Sequence, residues 1–528
     1  MRGWLFRHGW LIAIAAAYLY VFPYFPKIHS ANELPRVYLV KAMAEDGTFA
    51  IDRGVARWGA TADVSPWGGH QYSNKAPGSS MLVVPVYAAV RAVGGEPGLA
   101  ATMWLCRVIA GVLPMLLFLV LLDRFLARWA AEAAVRRLVL VAYALGSMAM
   151  TYSILYISHQ LAAVCVGAAW ILALDHAAGR RGVRAMAAAG LLAGASVLVE
   201  YQAAFALPAV AAHVAWKLRG RPRRELARAV GAAAVAGAIP LAVLLAYHAA
   251  CFGHPLRTGY DASQTFAEYH QQGFLGITEL RWEAFRGSTV APDNGLFALS
   301  PWWLLAIPGA IVLWRRRAPG HEGEPARERD IVLAGGSIAV VYLLFISSIN
   351  FWRGGWSVGP RYITVMLPFL LPLVAAAVAA AADVRRPWRR TLLLGAAAGA
   401  IAAGVVIYVA AAATFPHWPD RYRAPLYEVT FRLLADGLAA PSLGSWLGLG
   451  AVAAAVPYLA LAGGLLGWAI VRAGGCRVLA VAAGVAAAVI AAHGLAPRTG
   501  AGGDAAYQRV VRPAVEAAVS PAPPAPSK

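Results

Sequence analysis

Charged residues are scarce in this sequence, and acidic residues are the scarcest among them. Of its 528 residues only 14% are charged, and 46 Lys and Arg stand against 26 Asp and Glu. Soluble domains carry about 25% charged residues. Because 60% of the residues are also hydrophobic, the composition excludes an ordinary soluble domain and predicts a membrane protein.

Cysteine is equally rare. The four cysteines, Cys106, Cys165, Cys251 and Cys476, are scattered along the chain and form no CxxC pair. This spacing excludes a disulfide framework and a structural zinc site. The sequence also lacks an internal repeat of the kind that would indicate a transporter built from two related halves.

Long hydrophobic runs, by contrast, recur along the whole chain. Runs such as "GVLPMLLFLVLL" and "TLLLGAAAGAIAAGVVIYVAAAA" are typical of membrane-spanning helices. They predict an all-α polytopic membrane protein with about 13 transmembrane helices. The predicted spans lie near residues 9–26, 101–123, 138–158, 160–177, 185–200, 202–217, 228–248, 295–314, 331–349, 362–382, 391–414, 446–471 and 478–495.

Clusters of basic residues between these spans predict the orientation of the chain. Short loops rich in Lys and Arg stay in the cytoplasm. Placing every cluster there puts the N-terminus inside and the C-terminus outside. The formal net charge of +20 then has a topological explanation, and no nucleic-acid partner is expected. The clusters lie near residues 124–137, 180–184, 217–228, 315–317, 385–390 and 472–477.

The first predicted outer loop, residues 27–100, contains two segments that are helical without spanning the membrane. Ser79–Gly94 is apolar, but its length of about 24 Å is marginal for a hydrocarbon core of about 30 Å. We therefore predict a juxtamembrane helix at the outer interface. Apolar residues at helical spacing over 37–44 predict a second, amphipathic helix that lies flat on the membrane.

The predicted domain organisation is simple. Residues 1–495 form one transmembrane domain, and its first span is retained because no small-residue cleavage site follows it. Residues 496–528 end in "SPAPPAPSK", a composition typical of disordered segments. We predict a flexible C-terminal tail over this range.

Polar residues of unusual type gather in the predicted outer loops. The first loop opens with "NELPRVYLVKAMAEDGTFAID", where Glu33 follows the first span, and continues with "GGHQYSNKAPGSSMLVVP", which contains Lys75. A later loop leads into "GGWSVGPRYITVMLPFLLPL", which places Arg361 and Tyr362 directly before a span. An acid, a lysine and an Arg-Tyr pair therefore lie on one predicted side of the membrane.

This set of segments resembles the polyprenyl-phosphate-dependent glycosyltransferases of the GT-C superfamily, in particular the bacterial family-39-like and aminoarabinose-transferase-like members. In that family an acidic pair opens the first outer loop, and a G-x-x-Y-x-x-K-x-P stretch follows a juxtamembrane helix. The resemblance covers the first third of the chain, and "GLFALSPWWLLAIPG" is similar to a bacterial subgroup. Two departures stand out: the pair is Asn32-Glu33, and His159 stands near the place of a missing second carboxylate.

The resemblance implies a bacterial inner-membrane glycosyltransferase with its active site on the outer face. Such an enzyme moves a hexose or pentose from a polyprenyl-phosphate donor to an envelope lipid, glycan or protein, with inversion at the anomeric carbon. Lys75, Arg361 and Tyr362 are then expected to bind the donor phosphate. Glu33 is expected to be the catalytic base that takes the proton of the acceptor hydroxyl.

Five further residues are candidates for binding the acceptor or the sugar: Asp63, Tyr72, His159, Glu200 and Trp356. The spacing of Glu33, Asp63 and Glu200 fits no recognised metal motif. We therefore expect no metal site and no cofactor, although a divalent cation is left open.

Each candidate also has a simpler interpretation. Lys75 is explained as an interfacial lysine beside a lipid headgroup, and Glu33 as an acid at the start of a helix. Arg361 is explained as a snorkelling side chain at the end of a span. Trp356 fits an aromatic belt, and Asp63 fits a solvated loop.

Other functional classes stay open at this point. A transporter or flippase for a lipid-linked or anionic substrate would use the same cations, but alternating access needs polar groups at mid-membrane, where Arg107 is the main example. In a non-catalytic membrane scaffold, no sugar product would depend on Glu33 or Lys75. Among enzymes, an oligosaccharide ligase is disfavoured because the sequence has no second large outer domain.

Overall fold

The computed structural model describes residues 2–28, 30–274, 276–316 and 328–519, and for residues 2–7 and 451 the backbone alone. This part of the chain is helical almost throughout. Its only sheet is an antiparallel hairpin of β1 (Val64–Trp67) and β2 (His70–Ser73). The prediction of an all-α polytopic membrane protein is confirmed.

The α-helices fall into three groups along the chain. The first group is α1 (Arg2–Tyr20), α2 (Leu34–Lys41), α3 (Asp52–Trp58), α4 (Gly78–Gly94), α5 (Leu99–Arg107), α6 (Leu113–Leu126), α7 (Ala133–Leu145) and α8 (Met148–Ile154). The second is α9 (His159–Ala177), α10 (Val183–Val199), α11 (Leu207–Leu218), α12 (Arg223–Phe252), α13 (Ala267–His270), α14 (Trp282–Thr289), α15 (Leu296–Leu299) and α16 (Ala306–Arg315). The third is α17 (Arg329–Ser348), α18 (Leu367–Ala382), α19 (Pro387–Ala413), α20 (Arg432–Ala435), α21 (Leu443–Trp446), α22 (Ala451–Gly474), α23 (Cys476–Gly494), α24 (Ala501–Ala506) and α25 (Arg512–Val519).

Tighter and wider turns join several of these helices. Short 3₁₀ segments lie at Tyr201–Ala206, Gly259–Ala262, Pro301–Leu305 and Arg361–Met366. Wider π-type segments lie at Ala42–Asp46, Val108–Val112, Leu426–Phe431 and Tyr507–Val511. Both kinds of segment are frequent where helices join or serve a function.

The number of membrane-spanning helices differs from the prediction. In the described part of the chain, eight helices are long and apolar enough to cross a bilayer, and a bent pair makes nine. The count of about 13 is therefore not confirmed. The other four predicted spans correspond to shorter or interrupted helices: His8–Tyr20, Val183–Val199, the 3₁₀ segment with α11, and α15 with α16.

The bent pair is α7 and α8, which meet at 56° within the span predicted over 138–158. Ser147 caps α8 by accepting a hydrogen bond from the backbone N–H of Ala149. The freed carbonyl of Gly146 accepts hydrogen bonds from Ser300 Oγ at 2.9 Å and Trp302 Nε1 at 2.8 Å. The break is stable inside an apolar bundle because its backbone groups find these partners.

Burial separates central helices from peripheral ones. In the most apolar stretch of the span Arg361–Ala382, 94% of the residues are buried. In α12, Arg223–Phe252, the corresponding share is 17%. Helix α12 packs closely on α10, since a Cβ at Gly190 would lie 2.0 Å from the carbonyl oxygen of Ala233. Small residues at such crossings let helix backbones approach closely in membranes.

The arginine-rich turns lie together at one end of the bundle. Arg128 pairs with Asp175, and Arg221 Nη2 donates to the carbonyl oxygen of Ala177 at 3.1 Å. These contacts join the turns after α6, α9 and α11. The hairpin and most of the candidate residues lie at the opposite end, where they contact α2, α4 and the loops that follow α1 and α12.

Helix α4 confirms the helical segment predicted within the first loop. Helix α2 differs from its prediction, because all eight of its residues are buried rather than lying on a surface. Lys41 is enclosed with Glu45, whose carboxylate lies 2.7 Å from Nζ, and with Tyr87 Oη at 2.7 Å. These partners satisfy the charge of the buried lysine.

The predicted flexible tail is wrong over 501–519, which forms α24, a π-type segment and α25. Tyr507, Val511 and Val515 are fully buried along one helical face. Tyr507 Oη also donates to Asp436 Oδ2 at 2.7 Å. The prediction of a flexible tail followed the proline-rich composition of the last residues and did not use this apolar spacing. Residues 520–528 lie outside the described residues.

Candidate functional site

A cavity of about 520 Å³ lies at the end of the bundle that carries the hairpin. Three of the predicted site residues line it: Asp63, Trp356 and Arg361. The remaining wall comes from four other loops. It comprises Lys27, Ile28, Ser30, Ala31, Asn32, Ile157, Thr265, Phe266, Glu268, Tyr269, Phe351, Gly354, Gly355, His417 and Asp420.

The β-hairpin brings Lys75 next to Asp63, which lines this cavity. Antiparallel pairing of Val64 with Ser73 places the residues on either side of the hairpin next to one another. Lys75 Nζ therefore lies 3.0 Å from Asp63 Oδ2, and both side chains are almost fully buried. Asn74 Nδ2 donates to the other carboxylate oxygen of Asp63 at 3.3 Å. The lysine is thus a buried cation at the cavity rather than an interfacial one.

The surroundings of Lys75 disfavour its positive charge. Burial lowers the pKa of its ammonium below the usual value, and Arg361 and Arg36 lower it further, while Asp63 opposes them. The ammonium also lies 5.3 Å from the centre of the Tyr260 ring. Lys75 therefore depends on a nearby anion to remain charged, and in this structure that anion is Asp63.

Arg361 places a buried cation in the cavity wall itself. It is 6% exposed, and its Nε has no hydrogen-bond partner among the described residues. A Cβ at Gly354, whose φ is +69°, would lie 2.6 Å from that Nε, so the loop backbone packs directly on the guanidinium. A buried donor without a partner costs about 1–3 kcal/mol. An anion in the cavity would satisfy it.

Tyr362 and His159 lie behind Arg361. The guanidinium lies 5.4 Å from the centre of the Tyr362 ring. The rings of His159 and Tyr362 meet edge to face at 5.5 Å. Neither residue lines the cavity: Tyr362 contacts Arg361, and His159 contacts Tyr362.

Glu33 is held in a separate, closed network. Arg107 donates from Nε to Oε1 at 2.9 Å and from Nη2 to Oε2 at 3.1 Å. The backbone N–H of Tyr156 donates to Oε1 at 2.7 Å, and His417 Nε2 lies 3.8 Å from Oε2. The carboxylate borders only a narrow space of about 10 Å³, which shares Ser30 and His417 with the main cavity.

This network sets the charge of Glu33. Burial raises the pKa of the carboxyl, but Arg107, His417 and the N–H of Tyr156 outweigh it, so the pKa lies below its usual value. Burial and the charges of Arg107 and Arg361 lower the pKa of His417 to about 4, against the opposing charge of Glu33. At neutral pH the network therefore holds an ionised glutamate and a neutral histidine.

A third buried pair lies beneath the first loop. Arg36 Nη2 donates to Glu200 Oε2 at 3.4 Å, and Nη1 donates to the carbonyl oxygen of Ala76 and to Ser79 Oγ, both at 3.1 Å. His159 Nδ1 lies 3.6 Å from the same carboxylate oxygen. Arg36 thereby fastens the segment that follows Lys75 to α2 and to the end of α10.

Two of the predicted aromatic residues have different surroundings. Trp356 lines the cavity and packs edge to face against Phe415 at 6.4 Å. Tyr72 lies on β2 and packs against Phe252 at 5.6 Å and His70 at 6.3 Å, away from the cavity lining. The structure therefore does not bring Tyr72 together with the other candidates.

Three residues of this region were not among the predicted site residues: Arg36, Arg107 and His417. Arg107 had a signal in the sequence, because a lone arginine inside an apolar span needs a partner. Glu33 was available as that partner, but their separation of 74 positions gave no indication of contact. Arg36 sits in a helix that the sequence assigned to a surface, and His417 stands alone in its loop.

No group of three or more His, Cys, Asp or Glu in the described part of the chain is arranged to hold a metal ion. The residues around the cavity instead include cations, carboxylates and aromatic rings. Such a set can bind an anion and accept a proton in the same enclosed space.

Two solved structures are similar to this chain: ArnT from Cupriavidus metallidurans in the apo state, and the same protein bound to undecaprenyl phosphate. Each is 17% identical with a TM-score of 0.47 and covers 92% of this chain, and the match spans 77% and 78% of the respective ArnT chains. No protein-family model and no curated protein matches the chain.

Proposed function

We propose that this protein is an integral membrane glycosyltransferase that moves a sugar from a polyprenyl-phosphate donor to an acceptor. The observation that carries the proposal is the cavity lined by Asp63 and Arg361, where Asp63 pairs with the buried Lys75 and the Nε of Arg361 is unsatisfied. Two cations and a carboxylate in and beside one cavity suit the departure of a phosphate and the activation of a hydroxyl.

The donor phosphate is assigned to Lys75 and Arg361. As the glycosidic bond breaks, negative charge accumulates on the phosphate oxygens, and buried cations stabilise that charge more strongly than exposed ones. The guanidinium of Arg361 offers a planar set of donors, and the ammonium of Lys75 sits on a flexible stem. The ring of Tyr362 lies beside the guanidinium of Arg361 and helps to hold it in position.

The reaction then needs one carboxylate to take a proton. The acceptor oxygen attacks the anomeric carbon, the bond from that carbon to the phosphate oxygen breaks, and polyprenyl phosphate leaves with the electron pair. The acceptor proton passes to the carboxylate. Attack from the face opposite to the phosphate inverts the anomeric configuration.

Asp63 is better placed for this role than Glu33, the base predicted from the sequence. Asp63 lines the cavity and has one cation as its partner. Glu33 accepts three hydrogen bonds from Arg107 and Tyr156 and faces almost no free space. We assign the proton acceptor to Asp63 and a positioning role to Glu33.

The direct test combines binding with product analysis. Purified protein is titrated with undecaprenyl phosphate, the ligand of one ArnT structure, and retained lipid is measured by native mass spectrometry. Envelope glycans of cells with and without the protein are then compared by mass spectrometry. We expect saturable lipid binding and the loss of one glycosylated product without the protein. Uptake or flipping of substrate with an unchanged glycan profile would instead support the transporter alternative.

We place the site on the outer face of a bacterial inner membrane, because the arginine-rich turns lie at the other end of the bundle. Single cysteines introduced at Gln272 and Arg224, both exposed, test this orientation in a Cys476→Ser background. An impermeant thiol reagent should label the first and spare the second. The reverse pattern would overturn the orientation.

A further inference from the structure

A second cavity, of about 350 Å³, lies at the end of the bundle opposite the candidate site. It forms where α6 ends, beside the turn that follows α9. Four arginines line it, together with one carboxylate: Arg124, Arg128, Arg180, Arg181 and Asp175. The glycosyltransferase proposed above makes no use of these residues.

The cavity has too few negative charges for its arginines. Asp175 pairs with Arg128, with Arg180 Nη1 at 3.2 Å and with Arg181 Nε at 3.4 Å. One carboxylate therefore serves three of the four cations that line the space. Burial and the neighbouring Arg180 lower the pKa of the Arg128 guanidinium, which reflects the crowding of like charges.

The other lining residues are apolar and lead toward the bundle surface. Leu121, Phe125 and Ile171 form the apolar part of the wall. Leu117, one helical turn before Leu121 on α6, is 73% exposed. In a membrane-spanning bundle an exposed leucine of this kind faces lipid. The cavity thus joins a cluster of cations to an apolar surface that lipid chains can cover.

We propose that this cavity binds the head group of an anionic phospholipid. The phosphodiester would occupy the space among Arg124, Arg128 and Arg180, where guanidinium groups match phosphate oxygens. The acyl chains would lie along Leu117 and Leu121. Basic pockets between transmembrane helices are suited to anionic head groups in this way. The site is separate from the donor site and does not depend on the proposed function.

Native mass spectrometry of the purified full-length protein in detergent tests this proposal. Phosphatidylglycerol and phosphatidylcholine are titrated separately, and the retained lipid is counted. We expect the wild type to retain phosphatidylglycerol in preference to phosphatidylcholine. Arg128→Gln and Arg180→Gln should each lower the affinity for phosphatidylglycerol about fivefold. Arg385→Gln and Arg386→Gln remove exposed charges at the same end and should leave it unchanged.

Asp175→Asn should raise the affinity for phosphatidylglycerol, whereas the arginine variants should lower it. A substitution that only damaged the fold would not raise the affinity. Removing the competing carboxylate should strengthen phosphatidylglycerol binding by about fivefold. Arg128→Lys, which keeps the charge, checks that the fold tolerates change at this position and should keep most of the binding. The proposal is overturned if phosphatidylcholine binds equally well, if the arginine variants bind like the wild type, or if Asp175→Asn weakens binding. Displacement of the lipid by inorganic phosphate at matched ionic strength would indicate a free-phosphate site and overturn the lipid assignment.

Discussion

Glu33 and Asp63 are two buried carboxylates, each paired with a cation. They differ in how freely that cation can move. Arg107 grips Glu33 with two parallel hydrogen bonds, and the backbone of Tyr156 adds a third. Asp63 faces a cavity and meets Lys75 through a single contact of 3.0 Å. Both oxygens of Asp63 also have partners, since Asn74 donates to the second one. The difference is that Glu33 is held by a rigid guanidinium and a backbone N–H, whereas the flexible ammonium of Lys75 can leave Asp63 for the substrate.

The comparison suggests how donor binding prepares the site. A lysine ammonium on a flexible stem can turn from Asp63 toward an arriving phosphate, while the planar fork of Arg107 is fixed by its geometry. Arg107 Nη2 is also anchored to the carbonyl oxygen of Pro23 at 3.3 Å. We infer that the donor phosphate draws Lys75 away and leaves the Asp63 carboxylate free to accept a proton.

The substitution expected to have the largest effect is Asp63→Asn. It keeps the shape of the side chain and removes its basicity, so transfer should fall by about 100-fold to 10,000-fold. Undecaprenyl-phosphate binding should persist or strengthen, because Lys75 loses its competing anion. Product formation per folded molecule and lipid retention measure the two effects.

Asp52→Asn is the matched control, because Asp52 lies in the same loop, is 43% exposed and pairs with His70. It should keep nearly full activity. If Asp63→Asn transfers sugar at the normal rate and Glu33→Gln loses transfer activity per folded molecule, then Glu33 and not Asp63 is the base.

Glu33→Gln should act on stability instead. Removing one member of a buried ion pair leaves Arg107 uncompensated and costs about 3–5 kcal/mol. The paired change Glu33→Leu with Arg107→Leu removes both charges and should recover much of that loss. Thermal unfolding in detergent measures both variants. If the paired variant is as unstable as Glu33→Gln, the ion pair is not the source of the effect.

The same pair predicts a dependence of stability on pH. Because the folded pKa of Glu33 lies below its usual value of 4.5, its contribution is fully present above that value and is lost as the pH falls through the folded pKa. The wild type should therefore approach Glu33→Gln in stability as the medium becomes strongly acidic. A gap between the two that stays constant with pH would contradict the assignment.

Lys75→Met and Arg361→Gln should each lower turnover about 100-fold, since each removes a cation from the leaving phosphate. Initial rates at saturating donor measure this loss, and thermal unfolding checks the fold. Arg385→Gln, at the opposite end of the bundle, removes the same charge and should keep the wild-type rate. Unchanged rates in both cavity variants would leave the phosphate without an assigned site.

The smallest expected effect is that of Gly354→Ala. Gly354 has a φ of +69°, and a Cβ there would press on Arg361 Nε at 2.6 Å. The left-handed conformation alone costs about 1–2 kcal/mol, and displacement of Arg361 should also weaken donor binding. Gly68→Ala shares the positive φ of +58° but has no atom within 4 Å. It should lose stability to a similar degree and keep donor binding.

The sequence predicted the helical membrane class better than it predicted contacts between distant residues. Hydrophobic runs are a direct sign of burial in lipid, so the class follows from local sequence. The contact of Glu33 with Arg107 joins positions 74 residues apart, and no local pattern reports such a separation. Helix α2 was assigned to the membrane surface from the helical spacing over 37–44, but tertiary packing buries all eight of its residues, and Glu45 and Tyr87 enclose Lys41.

Helix α12 gives the cavity a mechanical connection to the bilayer. Its 30 residues extend about 45 Å, so its charged first turns at residues 223–228 reach beyond a hydrocarbon core of about 30 Å. Its span is only 17% buried and is held mainly by α10. The segment that supplies Thr265, Phe266 and Tyr269 to the cavity wall begins where this helix ends. We infer that a change in membrane thickness that tilts α12 would also move this part of the cavity wall.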